Sequence, residues 1–148
     1  MRHELRTEIA IDAVPSEVWR HLTDLTAYRE WNPFITSAAG STAVGERLTL
    51  RMEPPGGRAA TLRPTVTETD TGQVLEWLGR LGVPGIFDAR HRFELIGTDA
   101  GTRLLHSERF RGLLVRPMRR SLDSHTRAGF EAMNAALALR VLGDRAAS

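Results

Sequence analysis

Between Gly45 and Phe110 the chain repeats one pattern, short runs of alternating apolar and polar residues broken by turns rich in glycine and proline, and a single long helical stretch follows. In "GERLTLRM" (45–52) Leu48, Leu50 and Met52 alternate with Arg47, Thr49 and Arg51. "RAATLRPTVTET" (58–69), "QVLEWLGRL" (73–81), "IFDARHRFELIG" (86–97) and "TRLLHSERF" (102–110) continue the pattern, with "PPGG", "DTG", "GVPG" and "TDAG" between them. After "RPMRR" (116–120) the chain runs to about Leu142 without an interior proline. Met118, Leu122, Met133 and Leu137 recur there at helical spacing, and Gly143 is the expected stop. A meander of this kind is an antiparallel sheet with one apolar face, and only the C-terminal helix is long enough to cover it.

The N-terminal segment completes the plan. "HELRTEIAID" (3–12) is a half-buried strand with His3, Leu5, Thr7, Ile9 and Ile11 on one face. "VPSEVWRHLTDLTAYREW" (14–31) places Pro15 in a first helical turn and spaces Val18, Leu22 and Leu25 as one or two short helices, interrupted near Thr23 and Asp24. Asn32 before Pro33 ends the helical region, and a strand is expected from near Phe34. The expectation is one α+β domain over residues 1–148, a curved antiparallel sheet around a long C-terminal helix, with two short helices after the first strand.

Composition narrows the chemistry. No cysteine is present, which excludes disulfides, thiolate metal sites and cysteine nucleophiles. All 20 basic residues are arginine, which excludes Schiff-base and P-loop lysines. The same fact explains a pI near 10.3 beside a formal charge of only +2, so the pI does not argue for nucleic acid. The charged N-terminus has no signal-peptide core, and no apolar run approaches membrane-spanning length, so a soluble cytoplasmic protein is expected.

"LLHSERF" (104–110) puts Leu104, His106, Glu108 and Phe110 on one strand face. If the "TDAG" turn pairs Leu95 with Thr102, Phe93 faces Leu104, His91 faces His106 and Ala89 faces Glu108; "GVPG" then brings Trp77 near His91, with Leu75 beside it. Trp77, His91, His106 and Glu108 thus form a polar and aromatic cluster in an apolar wall. Three readings stay open: a satisfied structural group, a ligand site in which Trp77 stacks on a ring, or acid–base catalysis by His91 or His106 oriented by Glu108. Two histidines and a carboxylate, with His125 as a further ligand, have the chemistry of a non-haem metal site, but no spacing signature accompanies them. No metal or cofactor is therefore expected. Gly129 lowers helix stability, and its place beside Phe130 and Met133 calls for close packing or room for a ligand.

"AVPSEVW" (13–19), "YREWNPFI" (28–35), "ARHRFEL" (89–95), "GTRLLHSERFRGLL" (101–114) and "TRAGFEAMNAAL" (126–137) carry a further signal. In these stretches, and in its order of elements, the chain resembles the START-like (SRPBCC) superfamily, in particular its polyketide cyclase/dehydrase-like branch. The resemblance implies a helix-grip fold and a deep, mainly apolar cavity for a small hydrophobic, lipid- or polyketide-like ligand. Trp31 and Phe34 fall near that cavity in the family, and Leu75, Trp77, Phe93, Leu104, Phe110, Gly129, Phe130 and Met133 are the expected lining. Binding is the leading expectation. A cyclase, aromatase or dehydratase using His91, His106 and Glu108 is the enzymatic alternative, and a regulatory or co-chaperone-like interaction module the third. Arg109, Arg111, Arg116, Arg119 and Arg120 are candidates to meet an acyl carrier protein or an anionic membrane.

Overall fold

The structure, a computed structural model, describes residues 1–147. β1 (Arg2–Ile11) leads into α1 (Pro15–Thr23), a single 3-10 turn (Leu25–Ala27) and α2 (Tyr28–Trp31). β2 (Ile35–Ala39), β3 (Thr49–Met52), β4 (Ala60–Leu62), β5 (Thr65–Asp70), β6 (Val74–Leu81), β7 (Phe87–Thr98) and β8 (Gly101–Arg111) follow. The strands form a five-stranded antiparallel sheet in the order β1-β8-β7-β6-β5 and a three-stranded sheet in the order β2-β3-β4. Backbone bonds from Leu48 to Pro64 and from Val66 to Glu46, 2.8 Å each, join the two at β5, so the inner faces form one continuous wall.

Asn32 explains why the short helices stop where they do. Its Oδ1 accepts from the backbone of Phe34 (2.9 Å) and Ile35 (2.8 Å), which holds the Asn-Pro turn and launches β2.

The C-terminal helix differs from the expected single rod. α3 (Val115–Ser121) is followed by a π-helical turn (Leu122–Thr126) and then α4 (Arg127–Ala147). The π turn is tied to β1, with His3 Nε2 and Asp123 Oδ1 2.6 Å apart and Arg127 donating to the Arg6 carbonyl at 3.1 Å. Gly143 does not end the helix, which continues to Ala147. Partners beyond it hold the last turn: Asp144 pairs with Arg20, and Arg145 reaches Glu17 at 3.6 Å and the Asp12 carbonyl. These tertiary contacts outweigh a local signal worth about 1 kcal/mol.

α4 turns Phe130, Met133, Asn134, Leu137 and Val141 onto the sheet, a stripe with the period of a helix face. Its approach to Phe34 is close. A Cβ built on Gly129 would lie 2.4 Å from Phe34 Cδ1, and Phe34 packs edge-on against Phe130 with ring centroids 5.6 Å apart. Close packing is therefore the reason for glycine here. Gly129→Ala should cost stability although alanine favours helix by about 1 kcal/mol, because overpacking a core costs about 1–3 kcal/mol. A urea midpoint equal to or above that of the parent protein would show that Phe34 yields freely.

Candidate functional site

The β7–β8 hairpin turns one residue further along the chain than the expected pairing of Leu95 with Thr102 would have it. Thr98 pairs with Gly101, which takes a φ of +133°, so only Asp99 and Ala100 make the turn. The register therefore moves by two residues from the expected one: Leu95 faces Leu104, Phe93 faces His106, His91 faces Glu108 and Ala89 faces Phe110. A shift of two keeps every side chain on its face, so the inward cluster survives with different partners. Trp77 faces His91 across β6 and β7 as expected.

The cluster is held by a directed chain of hydrogen bonds. The Thr7 hydroxyl donates to the His106 carbonyl at 2.9 Å, which commits its only proton. Thr7 Oγ1 must then accept from Asn134 Nδ2, also at 2.9 Å, and that turns Asn134 Oδ1 toward His106 Nδ1 at 2.7 Å. An amide oxygen only accepts, so Nδ1 of His106 carries the proton. Complete burial, and secondly the neighbouring His91, push the His106 pKa well below its ordinary value, which leaves its Nε2 as a bare acceptor. His91 Nε2 stands 2.7 Å away and donates to it. The chain ends at His91 Nδ1, which has no hydrogen-bond partner and lies 3.4 Å from Glu108 Oε2.

Aromatic rings fix both imidazoles. His106 stacks on Phe130 with centroids 4.1 Å apart and planes 9° apart, and His91 stacks on Trp77 at 4.9 Å and 21°. Phe93 contacts both imidazoles, at 4.3 Å from His106 and 4.9 Å from His91. The interior is consequently full. Leu75, Phe93, Leu104, Phe110, Phe130 and Met133 are core residues with at most 2% of their surface exposed. Trp31 packs edge-on against Tyr28, and its Nε1 is buried without a partner. Beside the cluster there is a space of about 40 Å³, room for little more than a water molecule, bordered by Met52, Leu62, Phe87, Ala89, Trp77 and Glu108. Of the expected site residues, Trp77 and Glu108 border it, whereas His91 and His106 are fully buried behind them.

Two members of the hydrogen-bond chain lie outside the expected set. Asn134 sits one helical turn after Phe130, and a polar residue on an apolar stripe is the signal that marks it. Thr7 shares the inner face of β1 and pairs with His106. Among the described residues, no group of three or more His, Cys, Asp or Glu side chains is arranged to hold a metal ion. His125 lies apart, against the glycines of the "PPGG" turn and 3.4 Å from Ser121. No helix among the described residues is long and apolar enough to cross a membrane.

The depressed pKa of His106 sets a pH dependence. Below pH 6.5 an unfolded chain binds a proton that the folded core refuses, so stability is retained above that pH and falls as the pH drops below it. The slope is at most about 1.4 kcal/mol per pH unit for one group. His106→Gln should flatten that part of the curve, measured by urea unfolding on either side of pH 6.5. Equal slopes in both proteins would refute a neutral, buried His106.

The fold is shared with solved structures of low sequence identity. MLL2253 from Mesorhizobium loti is 22% identical with a TM-score of 0.72, over 96% of this chain and 98% of that one. The Zhui aromatase/cyclase from Streptomyces sp. R1128 is 15% identical with a TM-score of 0.78, over 96% and 94%. TTHA0849 from Thermus thermophilus is 18% identical with a TM-score of 0.77, over 96% and 99%. No curated protein matches the sequence significantly. Residues 2–143 match the family described as polyketide cyclase / dehydrase and lipid transport, and with nearly the whole chain covered, the chain belongs to that family.

Proposed function

We propose that the protein binds a small, ring-containing hydrophobic ligand on the inner face of the sheet, entering at the space beside Trp77 and Glu108. The observation that carries this reading is the hydrogen-bond chain from Thr7 to His91. It partners both nitrogens of His106 and Nε2 of His91 from behind and leaves Glu108, among the cluster's titratable groups, beside the cavity. A polar group at the edge of an apolar cleft fixes ligand orientation, and Trp77 offers a ring for stacking. Since the space holds about 40 Å³, a ring-sized ligand requires the β3–β4 side, with Met52 and Leu62, to move away from Trp77 and Phe87. Family membership and the fold shared with an aromatase/cyclase support a ligand of this class.

The unpartnered Nδ1 of His91 favours one second reading. A proton on that edge lies between His91 and Glu108, 3.4 Å apart, and passes to a bound ligand only through Glu108. In a cyclase or dehydratase, Glu108 would be the acid–base group that meets the substrate. His91 and His106 would be positioning residues. The three α3 arginines, Arg116, Arg119 and Arg120, are the surface proposed for an acidic carrier protein or an anionic membrane. Arg109 and Arg111 border a different concavity on the outer face of the sheet.

Native mass spectrometry of the freshly purified protein, followed by release of the adduct, tests binding. A stoichiometric apolar adduct that disappears in Ala89→Phe, which fills the cavity, is the expected result. No adduct, and no perturbation of the Trp77 and His91 NMR signals by ring compounds such as naphthol, would sink the reading. Glu108→Gln separates the two functions: a binder keeps affinity within about tenfold, the worth of one hydrogen bond, whereas an acid–base enzyme loses about 10²–10⁴-fold in turnover.

A further inference from the structure

The outer face of the five-stranded sheet divides its charges into two unlike halves. In one half every arginine is paired. Arg92 reaches Glu76 at 2.9 Å, Glu68 at 2.5 Å and Glu94 at 3.2 Å, and Arg103 reaches Glu8 at 2.7 Å. In the other half each rung mixes signs: Arg111 lies between Arg2 on β1 and Asp88 on β7, and Arg109 between Glu4 on β1 and Arg90 on β7. Arg90 is held by Glu76 at 2.9 Å, but Arg2, Arg109 and Arg111 have no ion-pair or hydrogen-bond partner among the described residues. The facing carboxylates pair with Arg6 and Arg80 and not with Arg109 or Arg111, so the like-charge neighbours Arg2–Arg111 and Arg90–Arg109, an arrangement that destabilises a sheet, are not offset by ion pairs at those two residues.

The same residues border a groove of about 520 Å³. Its lining includes five arginines against two carboxylates, Glu4 and Asp88, and both carboxylates already have partners: Glu4 lies 3.9 Å from Arg6, and Asp88 lies 3.3 Å from Arg80. The volume is that of a small-molecule site, for which about 300–1,000 Å³ is usual. Guanidinium forks match phosphate oxygens two at a time. The two arginine rungs are two residues apart along β8, a distance of about 7 Å from the strand rise. One phosphate is smaller than that span, and a chain of linked phosphates bridges it.

We propose that this outer groove is a binding site for a small ligand carrying two or more linked phosphate groups. Arg109 and Arg111 supply the two rungs and Arg2 the third free guanidinium. The site is separate from the inner cavity, so its fate does not depend on that of the ligand proposed there.

Isothermal titration calorimetry of the full chain in low-salt buffer, with inorganic tripolyphosphate and orthophosphate as probes, tests the proposal. Tripolyphosphate should bind at least about tenfold more tightly than orthophosphate. The Arg109→Ser/Arg111→Ser double variant should lose at least tenfold in tripolyphosphate affinity, whereas Arg119→Ser/Arg120→Ser, which removes the same charge from α3, should change it less than twofold. Thermal unfolding checks that both fold, and Arg2→Ser, at the end of a strand, provides an independent loss if the double variant does not. Equal binding of the two anions, or equal losses in the two double variants, would overturn the proposal in favour of diffuse charge attraction. Polyglutamate binding as tightly as tripolyphosphate would overturn it in favour of an acidic protein surface.

Discussion

His106 is the side chain on which the interior depends. Its backbone carbonyl takes the Thr7 proton, its Nδ1 holds Asn134, its Nε2 receives His91, and its ring lies flat on Phe130. β1, β7, β8 and α4 are thereby locked to one another by groups that cannot be moved singly. Leaving one buried donor or acceptor unpaired costs about 1–3 kcal/mol, so each member fixes the rotamer of the next. The order of donors is forced from one end, because the carbonyl can only accept and the amide follows from it. A neutral imidazole in this position is a consequence of burial and of the second imidazole beside it.

Filling the interior has a functional consequence. The helix-grip arrangement leaves space between sheet and helix only where side chains fail to meet, and here Trp77, Phe93, Phe130 and the two imidazoles meet. What remains lies at the edge, between β3 and β4 on one side and β6 and β7 on the other. That edge is also where the two sheets join through only a few backbone bonds near β5, so separation there disturbs less packing than displacement of α4. The polar chain reaches the same edge at Glu108.

The outer face obeys a different logic. Glu76 stays ionised in a partly buried position: burial raises its pKa, and hydrogen bonds from Arg90, Arg92 and Thr67 more than reverse that, for a net lowering. One carboxylate on β6 thus holds two arginines of β7. Along the same sheet, toward the β8 terminus, the carboxylates Glu4 and Asp88 pair with Arg6 and Arg80 instead, and Arg2, Arg109 and Arg111 are left without one. The contrast lies within one sheet and one solvent environment, so it is a property of residue placement.

Much of this was legible in the sequence. Period-two alternation identified the strands and their inner faces, the turns separated them, and the proline-free C-terminal run identified the covering helix. The inward set of Trp77, His91, His106 and Glu108 followed from alternation alone, because side-chain direction in a strand is fixed by parity. Residue-level pairing did not follow, because alternation fixes the face of a side chain but not the residue on which the turn is centred, and here the turn sits on Asp99 and Ala100 with Gly101 at positive φ. The same holds for the π turn and for the continuation of α4 past Gly143, both held by partners more than 100 residues away in sequence. Local periodicity was enough to establish the class of fold and the faces that look inward, since both depend on residues close together in the chain. Whether the interior is hollow or filled, and that Thr7 and Asn134 complete the histidine chain, came only with the packed molecule, because ring packing and hydrogen-bond direction arise where distant segments meet.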